Sequence, residues 1–233
     1  MRRRIAICVP IVLVALGIAA TVSSANVDRR SAASSLVIAI PLEPATLDVQ
    51  LNSTAVNSPA LVNIYETLTK LDRASTLQPS LAVSWKNLTR KTWRFNLRSG
   101  VVFQNGEKFT PAAAVFSIKR ALTPTSQNLA YYPTVSDAKV VPGANAIVVT
   151  TNSPDALLPQ QLSLLPMVAP KYVQQQPTQY LTHPVGTGPY VLDHWTQGQE
   201  FGLKANPHWW GGKARYQTVT IKIIPDTNVR AQA

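Results

Sequence analysis

Three histidines, His183, His194 and His208, stand 11 and 14 residues apart. A protein zinc site draws on His and Cys ligands at short spacings, as in His-Glu-x-x-His. Neither that arrangement nor a supporting Cys is present, so no metal site is expected. Asp193-His194 supplies two members of a hydrolytic triad. No serine sits in a Gly-x-Ser-x-Gly elbow, which leaves the pair without a nucleophile. Gly186-Thr187-Gly188 lacks the third glycine of a dinucleotide loop, and no Lys-Ser/Thr follows to make a phosphate loop. Trp209-Trp210 reads as a stacking platform or as core packing. No catalytic residue, metal ligand or cofactor is expected.

The basic residues are the remaining candidates. Lys86, Arg90, Lys91, Arg94 and Arg98 form a dense cluster, and phosphate neutralisation is what dominates nucleic-acid affinity. Arg94 and Arg98, however, alternate with Trp93, Phe95 and Leu97 between Thr92 and Arg98. That is the pattern of a half-buried strand with a basic solvent face, and no nucleic-acid partner is expected.

Composition bounds the rest. The 233 residues carry a formal +11 charge, with 14% charged and 45% hydrophobic residues, which excludes a disordered polar chain. One Cys excludes an internal disulfide. Arg2-Arg3-Arg4, the apolar run Ile5–Ala20 and small Ser23 and Ala25 make the three-part pattern of an export signal, cleaved before Asn26. The run of 16 residues is shorter than the roughly 20 that cross a bilayer. An uncleaved N-terminal anchor is the rival reading. Cleavage removes three arginines and no acid, lowering +11 by three to +8, and removes Cys8. Residues 26–35 read as a flexible lead-in.

Further along, Leu36–Ile40 reads as a buried strand ended by Pro41. Ser58-Pro59 reads as a helix start, followed by Leu61, Ile64, Tyr65, Leu68 and Leu71 at helical spacing, with Glu66 four residues before Lys70. Asn105-Gly106 marks a tight turn. Thr110-Pro111 opens a helix with Val115, Ile118 and Leu122 on one face and Lys119 and Arg120 near its end. Pro142-Gly143 turns into the strand 147–150, residues 190–205 form a hairpin about Thr196–Gln199, and Val219, Ile221 and Ile223 alternate in a last strand. The expected class is mixed α/β.

Several stretches together resemble a known family. Pro184-Val185-Gly186-Thr187-Gly188-Pro189-Tyr190, Trp195, Asn206-Pro207-His208-Trp209-Trp210-Gly211 and Ile224-Pro225-Asp226 are similar, in that order, to the family-5 solute-binding proteins of ABC importers. Tyr65-Glu66-Thr67-Leu68, Leu81-Ala82-Val83-Ser84-Trp85, the 93–98 strand and Phe103-Gln104-Asn105-Gly106 extend the likeness upstream. Asn105 stands where the family usually has Asp, and Ala114 where Asp is common. The resemblance implies a periplasmic-binding-protein type II-like lobe with an inserted mixed α/β subdomain. Lobe I would take residues 36–67 and 171–233 and the insert 68–170, with the second lobe absent.

By the same resemblance the chain would be a monomer, periplasmic or extracellular. It would capture a peptide or similar small solute (nickel chelates, haem and sugars are also carried in the family) and deliver it to membrane permease subunits. Asn52 and Ser53, after the first strand, and Tyr131 and Tyr132, in a loop of the insert, are the expected ligand-facing residues. Two other readings stand beside this one: a non-functional remnant of a split gene, and a basic surface protein that binds anionic polymer.

Overall fold

The computed structural model describes residues 34–51 and 58–232. The expected signal, most of the lead-in, and Asn52 and Ser53 lie outside the described residues. Strand β1 (Ser35–Ile40) is followed by α1 (Leu61–Ile64), the small hairpin β2 (Thr69–Leu71) and β3 (Leu77–Pro79), and the long hairpin β4 (Ala82–Thr89) and β5 (Thr92–Leu97). Helix α2 (Pro111–Ala121) leads to β6 (Val135–Val140) and β7 (Ala146–Thr151). Short helices α3 (Leu158–Gln161), α4 (Pro170–Gln175) and α5 (Pro177–Tyr180) precede β8 (Tyr190–Thr196), β9 (Glu200–Ala205), β10 (Thr218–Ile223) and α6 (Thr227–Gln232). No helix among the described residues is long and apolar enough to cross a membrane.

The strands assemble into two four-stranded sheets, ordered β1-β10-β9-β8 and β4-β5-β7-β6. β1 runs parallel to β10, and the other pairings in both sheets are antiparallel. Each sheet buries one face in its own core. Phe95, Leu97, Ile147 and Val149 meet Ile118 of α2 together with Phe103, Phe109 and Tyr132. Tyr190, Phe201, Leu203, Val219 and Ile221 meet Leu47, Leu61, Ile64, Tyr65 and Tyr180. Period-2 alternation sets both inner faces, as the sequence leads one to expect.

Local signals act where they were read. Thr110 Oγ1 accepts the Ala113 amide at 3.2 Å and Pro111 takes the first turn of α2. At Asn105-Gly106 the glycine has φ +86°, and Asn105 Oδ1 accepts the Glu107 amide at 3.1 Å. The face that α2 buries is nonetheless made chiefly of Ala113, Ala114, Ser117, Ile118 and Ala121, with Val115 and Leu122 only half-buried. Small side chains let the helix sit close to its neighbours: Ser117 Oγ donates to Ala113 O at 2.8 Å and accepts the Val168 amide at 3.0 Å.

Three expectations are corrected. β1 is an edge strand, and Val37 is 57% exposed. The helix read through Leu71 ends at Ile64, with Tyr65 at φ −99° and ψ 150°. The physical reason is competition for the backbone: Met167 N donates to Glu66 O at 2.9 Å, Thr67 bridges to Pro166, and Thr69–Leu71 pairs with Leu77–Pro79. A helix of this length is marginal alone, so tertiary pairing wins. Arg98 is not simply solvated: its guanidinium lies 3.9 Å from the Trp210 ring and its Nε donates to Ser80 O at 3.0 Å.

Candidate functional site

The loop after β1 runs into a buried stretch. Leu47, Asp48, Val49 and Gln50 are each 1% exposed or less, although the segment has no regular structure. Polar groups buried this way must find partners inside the protein. Asp48 takes Arg120 in a two-pronged ion pair, Oδ1 to Nη1 at 3.0 Å and Oδ2 to Nη2 at 2.5 Å. Arg120 Nη1 also donates to Gln50 Oε1 at 2.9 Å, and Gln50 Nε2 donates to the carbonyls of Ser117 and Pro166. Ser126 Oγ and Asn128 Nδ2 hold the Gln50 and Val49 carbonyls at 3.1 and 2.7 Å. Arg120, read from sequence as a helix-end cation, is therefore the clamp of this loop.

A second polar knot fixes the chain beyond α1. Glu66 Oε2 accepts from Trp210 Nε1 at 2.7 Å and Thr187 Oγ1 at 2.9 Å, and Oε1 accepts from Trp209 Nε1 at 3.2 Å. Burial pushes the Glu66 carboxyl above its ordinary range, opposed by the Trp210, Thr187 and Trp209 donors. The Gly186-Thr187-Gly188 turn closes on the end of α1, with Gly188 N donating to Ile64 O at 2.8 Å. A Cβ on Gly186 would stand 2.0 Å from Ile64 O, and one on Gly188 2.5 Å from Asn63 O. Gly186→Ala is therefore expected to cost about 3 kcal/mol of stability or more, since a backbone carbonyl cannot move aside as a side chain can. Equilibrium urea unfolding measures it, and a loss below about 1 kcal/mol contradicts this reading of the contact.

A cavity of about 320 Å³ is lined by Val49 of the clamped loop, α1, Tyr65 and Thr67, β2 and residues 163–166. Val49, Leu61 and Leu164 supply apolar wall, while Val62 and Leu71 remain 51% and 40% exposed beside it. Lys70 is the charged residue in this lining. The Thr67 hydroxyl is committed to the Thr69 carbonyl at 2.5 Å. The Tyr65 and Tyr180 hydroxyls face each other at 2.8 Å, and burial pushes both phenols up, so neither is a proton carrier near neutral pH. The arrangement can hold an apolar group and an anion.

The sequence-expected ligand residues divide. Asn52 and Ser53 lie outside the described residues, but the clamped loop that leads into them forms part of the cavity wall through Val49. Tyr132 is 1% exposed and donates to the carbonyl of Leu164, a residue of the cavity lining, at 2.6 Å. Tyr131 packs half-buried against it, ring centroids 6.3 Å apart. The histidines are not brought into a ligand set: His183 meets Thr182, and His194 lies between Asp193 and Glu200, which raise its pKa. Among the described residues no group of three His, Cys, Asp or Glu is placed to hold a metal ion. Sequence reasoning missed Asp48 and Gln50, because an isolated acid or amide in a loop carries no periodic signal of burial, and read Glu66 as a helical residue facing Lys70 rather than as the acceptor for Trp209, Trp210 and Thr187.

Residues 76–233 match the family model described as bacterial extracellular solute-binding proteins, family 5 middle. The chain belongs to the family-5 solute-binding proteins. Protein XP55 of Streptomyces lividans is 35% identical over 86% of this chain and 37% of its own length. The nickel-binding periplasmic protein of Escherichia coli K12 is 30% identical over 73% of this chain and 34% of its own.

Among solved structures, NikA from Brucella suis in complex with Fe(III)-EDTA superposes with a TM-score of 0.73 at 30% identity, covering 85% of this chain and 41% of that one. The oligopeptide-binding protein AppA from Bacillus subtilis, in complex with a nonapeptide, gives 0.74 at 23% identity, covering 84% and 41%. The fold is that of type II periplasmic binding proteins, of which the described residues form part. The chain spans about two fifths of the length of the relatives it matches. Family-5 proteins are solute-binding components of ABC transporters, and the relatives include binders of peptide, nickel and glutathione.

Proposed function

We propose that this chain contributes to the solute-binding component of an ABC importer, which captures a peptide or similar small solute outside the membrane and hands it to the permease. Residues 36–67 and 171–233 would make the lobe, 68–170 its insert, and 1–25 the export signal. The protein would act as a monomeric carrier, not an enzyme. The observation that carries the reading is the cavity beside the clamped loop, whose apolar wall and Lys70 suit a solute with an apolar side chain and a carboxylate. Rigid anchoring of the loop lowers the ordering cost of binding, as preorganised sites do.

Calorimetry of the protein with a mixture of short peptides, followed by thermal unfolding, tests it. A ligand at a hundredfold its Kd adds about 2.7 kcal/mol of stability. Val62→Asp, on the exposed part of the cavity wall, is the companion variant, and it should abolish the heat. Absence of both heat and thermal stabilisation in the unaltered protein overturns the proposal.

A further inference from the structure

The sheet β4-β5-β7-β6 has an outer face as well as a core face. Its register sets Lys86 opposite Arg94, Arg94 opposite Val148, and Val148 opposite Lys139. These four form one cross-strand row, alternating with the buried row that holds Phe95 and Ile147. At about 4.8 Å between strands, the row spans roughly 14 Å. The β4–β5 turn adds Arg90 and Lys91, both exposed. Among the described residues, Lys86, Arg90, Lys91 and Arg94 form no ion pair, while Lys139 shares Asp137 with Lys119 at 3.4 and 3.3 Å. Lys91 Nζ donates to the Asn152 carbonyl at 2.9 Å and Arg94 Nε to Asn96 Oδ1 at 3.1 Å, bonds that orient the cations without neutralising them. Leu88 and Val83, on the edge strand β4, are 47% and 42% exposed.

Cations on an edge strand commonly guard against edge-to-edge pairing. That role accounts for Lys86 on β4, but not for Arg94, which lies on an interior strand. We propose that this face docks on an anionic phospholipid surface. Unpaired cations on this face, with exposed Val83 and Leu88 at the two register shifts of its edge strand, match the charge and the apolar boundary of a headgroup layer, whereas a soluble polyanion offers charge alone. Docking of this kind would concentrate a binding protein on the bilayer that holds its permease.

The test is co-sedimentation of the full chain with vesicles of equal parts phosphatidylglycerol and phosphatidylcholine, against phosphatidylcholine alone, at low and high salt. Two double variants carry the same charge change: Lys86→Glu with Arg90→Glu on this face, and Lys213→Glu with Lys222→Glu elsewhere. Arg2–Arg4 and the apolar run are common to both, so their difference reads the sheet face. Circular dichroism confirms that both fold; if the face variant does not, Lys86→Gln with Arg90→Gln replaces it.

Salt-sensitive binding to the anionic vesicles is expected, about tenfold or more weaker in the face variant and changed less than threefold in the other. Equal loss in both variants, no loss in the face variant, or no vesicle binding at all overturns the proposal. So does equal affinity for soluble polyphosphate, which would assign the face to a soluble polyanion.

Discussion

Asp48→Ala is expected to lower the stability of the protein by about 3–5 kcal/mol, because it leaves a largely buried guanidinium without its counter-charge. The Asp48 side chain is 1% exposed and that of Arg120 19%. Lost with the carboxylate are both Arg120 contacts and the acceptor for the Gln50 amide at 3.1 Å. Lys119 makes the comparison internal: one residue earlier on the same helix, its side chain is 56% exposed and pairs with Asp137 at 3.3 Å. Lys119→Ala should cost about 0–1 kcal/mol, the range of surface pairs. Urea unfolding of both variants checks the contrast. Equal small losses would mean that the clamp contributes little and does not preorganise the loop. Asp48→Asn refines the test by keeping the shape and removing the charge.

Glu66→Ala should cost about 3 kcal/mol, since the two indole N–H groups and the Thr187 hydroxyl lose their shared acceptor, at about 1–3 kcal/mol for each fully buried orphan. Thr187 is 1% exposed, whereas the two tryptophans are half-buried and recover part of their loss from water. The pH dependence has a definite sign. Burial raises the folded-state pKa of Glu66 above its ordinary 4.5. Its contribution is therefore fully present below the unfolded pKa and is lost as pH rises through the folded one. Glu66→Gln cannot ionise, so the stability gap between the unaltered protein and this variant should narrow as pH rises from below 4.5 towards neutrality. Denaturation midpoints across that range measure it; a gap that widens with pH would show that the three donors outweigh burial.

These two knots also show where sequence reading reaches its limit. The strand at 92–97, the hairpin at 190–205 and the start of α2 were legible because their signals are local: alternation, a turn glycine at 198 and a cap at Thr110. The stretch from Leu61 to Leu71 misled for the same reason. Its spacing is helical, but Tyr65, Leu68 and Thr69 are drawn to different partners, the first into one core and the second into the other. The candidate cavity was only partly visible. Its position after the first strand pointed to residues 52 and 53, while the burial of Tyr132 and its bond to the Leu164 carbonyl carry no signal in the sequence.

By itself the sequence determined the mixed α/β class, strands such as 92–97, 190–196, 200–205 and 218–223, and the family, through motifs such as Gly186-Thr187-Gly188-Pro189-Tyr190 and Trp209-Trp210-Gly211. Local periodicity and short motifs are written along the chain, so they can be read from it. Only the tertiary structure decided what those motifs do. The glycines permit contact with Ile64, and the tryptophans donate to Glu66 across 143 and 144 residues. It likewise made Arg120 the partner of Asp48, 72 residues away, and left Lys86, Arg94 and Lys139 in one unpaired or half-paired row. Such pairings come from which polar groups meet when loops, turns and helices distant in the chain pack together, a condition that no window of sequence contains.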